Sequence, residues 1–229
     1  YLQGKSGIVN AATGSGKTYA LIVPILVEFL AKHHKKKKLP TNNGLQAIWI
    51  TPIKALAKEI KVSAESAAEG MGISWNIAIR TGDTSSYERT KQKKKPPEIL
   101  ITTPESLHLL LAANKYETMF QNLKTIVSDE WHELVGSKRG VQVELALSRL
   151  KSLLPNLKTW GISATIGNME EATAVLLGNQ IQDNNWTIIR SKIKKKIEVK
   201  TVMPKDIERF PWSGHLGIHL IKEVLEVVD

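Results

Sequence analysis

Ala11-Ala12-Thr13-Gly14-Ser15-Gly16-Lys17-Thr18 sits between the short apolar run Ile8-Val9 and a long helical pattern, and its reading decides the fold. Gly14 and Gly16 let the backbone curl so that successive N–H groups converge, an approach a Cβ would obstruct. A helix opening near Lys17 adds the positive end of its dipole, which turns the loop into a cradle for phosphate oxygens. Thr13, Gly14, Ser15, Gly16, Lys17 and Thr18 are therefore the expected nucleotide-binding residues. The Lys17 ammonium is placed to reach the β- and γ-phosphates of ATP, and the Thr18 hydroxyl to hold Mg²⁺. The plain alternative is a glycine-rich turn between a strand and a helix. One departure from the pattern G-x-x-x-x-G-K-[ST] is Ala11, where the pattern has glycine.

Downstream, short β-rich runs alternate with longer helical patterns, the signature of a mostly parallel sheet wrapped by helices. Strands are expected at Ile8 to Ala11, Ala47 to Thr51, Ile77 to Arg80, Ile99 to Thr102, Thr125 to Ser128 and Thr159 to Ser163. Ala55 to Glu69 and Val141 to Leu153 carry apolar residues at three- and four-residue spacing and read as covering helices. Lys91 to Pro97 reads as a charged linker ended by proline, and Gly178 to Asn185 as a boundary. The chain is thus divided into residues 1–185 and 186–229. The second part is expected to hold a strand at Ile197 to Val202, a turn at Pro204 and a helix from Ser213 that runs to the end of the sequence, as if a further domain were only begun.

In an open parallel sheet, ligands bind beyond the carboxyl ends of the strands. Asp129-Glu130-Trp131-His132 follows the apolar Ile126-Val127 and occupies such an end. Asp129 there can hold Mg²⁺ opposite Thr18, while Glu130 faces the γ-phosphate and polarises the attacking water. Taken alone, an Asp-Glu pair is an ordinary helix start; the phosphate loop upstream gives it a chemical partner.

At this point the chain resembles superfamily two helicases, because Asp129-Glu130-x-His132 is similar to the DExH form of the Walker B motif. Thr51-Pro52-Ile53-Lys54-Ala55-Leu56 resembles motif Ia, Arg80-Thr81-Gly82-Asp83-Thr84 the T-x-G-D element, Thr102-Thr103-Pro104-Glu105-Ser106-Leu107 motif Ib, and Ser163-Ala164-Thr165 motif III. All stand in family order across residues 11–165, which is specific to the first RecA-like domain. The runs Asp129 to Gly140 and Trp160 to Asn168 resemble the large-helicase-related (Lhr-like) group, and within it the bacterial ligase-associated DEXH-box DNA helicases.

The resemblance implies an α/β, RecA-like P-loop fold and ATP hydrolysis run by Lys17, Thr18, Asp129 and Glu130. It implies coupling of the nucleotide to movement of a second domain through Ser163 and Thr165, with His132 as their neighbour. Thr51, Pro52, Lys54, Thr81, Gly82, Thr103 and Ser106 are the implied nucleic-acid contacts. Hydroxyls and the helix starts after Pro52 and Pro104 can bind phosphate oxygens without reading bases. Each Thr-Pro is equally a common helix cap, so the joint order of the motifs carries the reading. The implied partners are single-stranded DNA or a DNA junction, a second RecA-like domain of the same protein that supplies arginines, and a DNA ligase or nuclease in repair. The family's adenine-reading glutamine element would lie upstream of the phosphate loop, and Gln3 is a poor match for it. Residues 1–229 alone are expected to bind ATP weakly, to hydrolyse it slowly and not to unwind a duplex. An RNA-directed motor and a non-catalytic, nucleotide-switched interaction module are the competing readings.

Composition narrows the classes further. Thirty-two Lys and Arg against 22 Asp and Glu leave a net charge of +10, which suits a polyanionic partner. Three lysine runs, Lys35 to Lys38, Lys93 to Lys95 and Lys194 to Lys196, account for that whole excess and read as loops. No cysteine is present, so neither a disulfide framework nor a thiolate metal site is possible, which fits a cytoplasmic protein. Ala20 to Ala31 is too short to cross a membrane and is interrupted by Pro24 and Glu28, and the sequence shows no secretory signal. Trp49 and Trp160 fall in expected strands and read as core, with Trp131 less defined; His215 and His219 share a helix face without a metal motif.

Overall fold

A computed structural model describes residues 1–12, 14–35, 38–164 and 166–191, together with 221, 224 and 225. It resolves two compact units, Tyr1–Ile193 and Lys194–Asp229. The first holds the strands β1 Ser6–Asn10, β2 Ala47–Ile50, β3 Ile77–Arg80, β4 Ile99–Thr102, β5 Thr125–Ser128, β6 Lys158–Ser163 and β7 Trp186–Arg190. They form one seven-stranded sheet in the order β3-β4-β2-β5-β6-β1-β7. Every pairing is parallel, so the mostly parallel sheet read from the alternation is present.

The strands read as unbroken apolar runs because both faces of the sheet are covered. Successive side chains point to opposite faces, and the core divides accordingly. Ile48, Ile50, Leu100 and Ile126 belong to one cluster, which is filled from α4 Pro104–Leu111, α5 Tyr116–Phe120, α6 Trp131–Leu134, α7 Lys138–Leu153 and α8 Met169–Leu177 by Leu107, Phe120, Leu134, Leu147 and Leu176. Trp49, Ile101, Val127 and Trp160 belong to the other, where α1 Lys17–His33 contributes Leu21, Ile25 and Phe29, and α2 Lys54–Gly70 contributes Ala57, Ile60 and Ala64. Alanines on the buried stripe of α2 let that helix lie close to the sheet.

Three expectations are corrected. The Lys91 to Pro97 stretch is not a linker throughout. α3 spans Ser86–Lys94, because the Ser85 hydroxyl caps it by accepting from Glu88 N–H at 3.3 Å, and lysines favour its negative end. Only Lys95 and the two prolines after it leave the helix. The polar run at Gly178 is a 3₁₀ turn, Gly178–Asp183, and does not end the sheet. Trp186–Arg190 returns beside β1, from Ser6↔Trp186 to Asn10↔Arg190, so the first unit continues past residue 185 to Ile193. Trp131 is core, fully buried, with its indole donating to the Ala172 carbonyl at 2.9 Å.

Of the second unit, 221, 224 and 225 are helical. The expected strand at Ile197 to Val202, Pro204, His215, His219 and the Lys194 to Lys196 run lie outside the described residues. Among the described residues no helix is long and apolar enough to cross a membrane.

Candidate nucleotide and nucleic-acid sites

The loop between β1 and α1 bends where its glycines permit it. Gly14 has φ 72° and Gly16 φ 80°, the left-handed region that favours glycine. Gly16 is also the residue from which α1 starts, so the first free N–H groups of the helix open onto the loop. Ala11 needs no such freedom: it is not among the positive-φ residues, and its N–H donates to the Ser163 carbonyl at 3.1 Å. Thr13 lies outside the described residues.

Lys17 is 8% exposed, and its ammonium makes no hydrogen bond among the described residues. It forms an ion pair with Glu130 Oε1 at 3.6 Å. The Ser15 hydroxyl beside it is likewise buried and without a partner among the described residues. A buried cation and a buried hydroxyl short of acceptors, at the positive end of a helix, fit an anionic ligand with several oxygens. Lys17, Thr18, Gly14, Gly16, Asp129 and Glu130 share the wall of one cavity of about 390 Å³. Thr18 and Asp129, read as the Mg²⁺ pair, are thus brought to the same space. Among the described residues no cluster of three or more His, Asp or Glu could hold a metal alone. One carboxylate and one hydroxyl completed by phosphate oxygens is the kind of donor set Mg²⁺ accepts, so the residues fit that ion.

Asp129 leaves β5 into the cavity and is almost fully buried. Burial pushes its carboxyl above the usual range and the Glu130 charge adds to that, while the Trp49 hydrogen bond, the Glu130 N–H and Lys17 act in the opposite direction. Trp49 Nε1 donates to Oδ2 at 3.3 Å and Glu130 N–H to Oδ1 at 2.9 Å. Glu130 itself has φ 46° and ψ 47°, a left-handed conformation that is strained for a side chain of its kind. That bend turns its carboxylate between Lys17 and His132, whose Nδ1 lies 3.4 Å from Oε2. The same His132 nitrogen is 3.2 Å from Ser163 Oγ at the end of β6. Asn10, the last residue of β1, donates to the carbonyls of Ser163 and Ala164 at 3.4 and 3.1 Å. Thr165 lies outside the described residues.

The residues read as nucleic-acid contacts line the ends of β2, β3 and β4. They differ in what they offer. Thr51 is fully buried, and its hydroxyl exchanges hydrogen bonds with the Ile53 backbone at 3.3 Å. Thr103 and Ser106 are buried and bond to each other at 3.1 Å. Thr81 is buried too, with its hydroxyl accepting from Asp83 N–H at 3.3 Å. These hydroxyls shape the turns, whereas Lys54 and Gly82 are exposed on the rim. Lys54 reaches Asp83 at 2.9 Å. Pro52 is buried, and its carbonyl accepts from Arg139 at 2.8 Å.

Arg139, Trp49 and α2 are parts of these sites that the motif reading passed over. Arg139 grips Glu105 at 2.6 and 3.3 Å while holding Pro52, so it ties the start of α4 to the turn before α2. It lies inside the run Asp129 to Gly140, and nothing local in that run separates a bridging arginine from a solvated one. Leu56, Glu59, Ile60 and Ser63 of α2 line the nucleotide cavity, at a spacing indistinguishable from an ordinary helix face.

A profile of the DEAD/DEAH box helicase family matches residues 1–172. The ATP-dependent helicase Lhr-Core of Methanothermobacter thermautotrophicus is 34% identical over 214 residues, covering 89% of this chain and 24% of that protein. The Lhr helicase/uracil glycosylase of Escherichia coli is 33% identical over 215 residues, covering 86% of this chain and 13% of that protein. Among solved structures, Mycobacterium smegmatis helicase Lhr bound to ssDNA and AMP-PNP superposes with TM-score 0.71 at 27% identity, covering 99% of this chain and 29% of that one. The DUF1998 helicase MrfA bound to DNA gives TM-score 0.67 at 28% identity, covering 82% and 25%. The chain spans about a quarter or less of the length of these relatives.

Proposed function

Because the chain belongs to the DEAD/DEAH box helicase family, we propose that it is the first RecA-like unit of an Lhr-like, ATP-dependent DNA helicase or translocase. The observation that carries the ATP site is the meeting of Lys17, Thr18, Asp129 and Glu130 in one cavity. Lys17 would bind the β- and γ-phosphate oxygens. Thr18 and Asp129 would hold Mg²⁺, which when bound neutralises charge on the transferring phosphoryl group.

Lys17 and Glu130 neutralise each other at 3.6 Å, so phosphate oxygens compete with Glu130 for the ammonium. Once Lys17 turns to phosphate, Glu130 is left to accept a proton from a water in line with the γ-phosphate. His132 holds the other Glu130 oxygen, and Ser163 reads the position of His132. A second RecA-like domain would complete the site with arginines, and an arginine finger is worth about 10³ to 10⁵ in rate in related enzymes.

Exposed Lys54 and Gly82, with the backbone of the turns at Pro52 and Thr103, make a track suited to phosphates of any sequence. DNA is favoured over RNA because the Lhr and MrfA structures carry ssDNA and DNA. A repair setting is supported by the Escherichia coli relative, whose name joins a helicase to a uracil glycosylase. The test is ATP turnover by the full-length protein with and without single-stranded DNA, beside Glu130→Gln. DNA-stimulated turnover that Glu130→Gln abolishes is expected; turnover unchanged by Glu130→Gln overturns the assignment of the site.

A further inference from the structure

The geometry points to Trp49 as a positioning residue for Asp129: its indole N–H fixes the carboxylate from the strand that runs directly into Pro52 and Lys54. The inference rests on the reading of Asp129 as a Mg²⁺ ligand.

β2 lies beside β5 with Trp49 opposite Val127, and Asp129 N–H continues the ladder onto the Ile50 carbonyl at 2.8 Å. Residues 127 and 129 therefore point to the face that Trp49 occupies. Trp49 is 1% exposed and Asp129 6%. The indole donates to Oδ2 at 3.3 Å, and the Glu130 N–H to Oδ1 at 2.9 Å. One fixed donor on each oxygen removes rotation about the carboxylate bond, and each oxygen keeps a lone pair for a metal.

Packing alone does not account for an indole here, since phenylalanine fills a flat apolar slot without a buried N–H to satisfy. The other described tryptophans with a bonded indole spend it on main chain: Trp131 on Ala172, Trp160 on Lys5 and Trp186 on Ile181, all carbonyl oxygens. Trp49 gives its N–H to a side-chain carboxylate in the nucleotide cavity. Beyond Trp49, Pro52 is held by Arg139, and α2 returns Leu56, Glu59, Ile60 and Ser63 to the wall of the same cavity. The β2–α2 segment thus bonds Asp129 before Lys54 and lines the cavity after it. Trp49 precedes Pro52 by three residues and Lys54 by five, so the donor to Asp129 and the exposed Lys54 belong to one continuous segment.

The test uses full-length protein with Trp49→Phe and, at the same position, benzothienylalanine, which keeps the bicyclic shape and lacks the N–H. Mn²⁺ affinity in the presence of ADP is read from the electron paramagnetic resonance of free Mn²⁺, and ADP affinity is read separately in chelator. In both variants Mn²⁺ affinity is expected to fall about 10-fold while ADP affinity in chelator stays at the wild-type value. Wild-type Mn²⁺ affinity in the benzothienylalanine protein overturns the inference, whatever Trp49→Phe does to folding. Asp129→Asn separates the two levels: if it too leaves Mn²⁺ affinity unchanged, the reading of Asp129 as a metal ligand fails. If it weakens Mn²⁺ and the position-49 variants do not, the role of Trp49 alone fails.

Discussion

Lys17 Nζ and Glu130 Oε1 face each other across 3.6 Å, at 7% and 16% side-chain exposure, with Glu130 held in a left-handed backbone conformation. Each is the other's counter-charge, and a nucleotide bound as proposed would have to displace that pairing.

Glu130→Gln is therefore expected to act in opposite directions on chemistry and binding. Loss of the proton acceptor lowers ATP turnover by about 10² to 10⁴. Loss of the competing charge leaves Lys17 free for phosphate, so ATP binds at least as tightly as in wild type. Single-turnover hydrolysis and equilibrium titration with a fluorescent nucleotide check the two halves, and weaker binding in the variant contradicts the competition.

Ser163→Ala removes the hydroxyl that meets His132 at 3.2 Å and leaves Lys17, Thr18, Asp129 and Glu130 untouched. ATP turnover by the full-length protein should stay within a few-fold, while strand displacement per ATP hydrolysed falls. Measuring both on one preparation decides it: equal losses would make Ser163 part of the hydrolytic step instead.

Arg139→Ala should weaken nucleic-acid binding without changing nucleotide affinity, because Arg139 joins Glu105 to the Pro52 carbonyl and touches no cavity residue in the described contacts. The variant also has a pH signature. Burial raises the Glu105 carboxyl, but the Arg139 hydrogen bond and charge, together with the Glu105 N–H and the Thr103 hydroxyl, outweigh it, and the net position is below the usual range. A lowered carboxylate contributes stability above its unfolded value and loses it as pH falls through the folded value. The stability gap between wild type and Arg139→Ala should thus be present at neutral pH and close on acidification. Both side chains are part-exposed, so the gap is expected to be no more than about 1 kcal/mol.

Gly7→Ala tests the pairing of β7. Gly7 has φ 155°, and an added Cβ would run into the Thr187 carbonyl of the neighbouring strand. Separation of β7 from β1 should cost at least about 2 kcal/mol, a fall in Tm of roughly 4–8 °C for a chain of this size. An unchanged melting temperature would show that β7 contributes nothing to the first unit.

Lys151 lies on α7 and donates to the Leu176 and Leu177 carbonyls at the end of α8, at 3.1 and 2.8 Å. Burial lowers its ammonium to about 8. Below that value the buried charge penalises the fold. Between about 8 and the ordinary lysine range the folded state sheds the proton first and the penalty is relieved. A neutral amine still has two N–H groups for the two carbonyls. The stability of wild type relative to Lys151→Met should accordingly rise with pH across that window, as followed by denaturant titration at several pH values.

What the sequence carried most clearly was local chemistry. A glycine that must take φ 80° beside a lysine, or an Asp-Glu pair at the end of an apolar run, needs no knowledge of distant residues. The six strands β1 to β6 and the two long helices were legible for the same reason: apolar pattern and length agree, and both faces of the sheet are covered. β7 was not legible, because Trp186–Arg190 is only part-buried and lies at an edge, with its partner β1 at the opposite end of the chain. The buried hydroxyls of Thr51, Thr103 and Ser106 resembled free phosphate donors, since composition does not reveal that they bond to their own turns. Trp49 and Arg139 were hidden for a related reason. Each acts on a residue 80 or 87 positions away, and only the parallel order of the sheet brings those ends together.

β7 closes against β1 up to Arg190, and the next residue still donates its N–H to the Asn10 carbonyl at 2.8 Å. Asn10 in turn holds the carbonyls of Ser163 and Ala164, and the phosphate loop begins one residue later. Ser191 is therefore held at the lip of the phosphate loop, so tension applied there is resisted first at Asn10, whose carbonyl takes β7 and whose amide, beside the Ala11 N–H, takes the Ser163 segment.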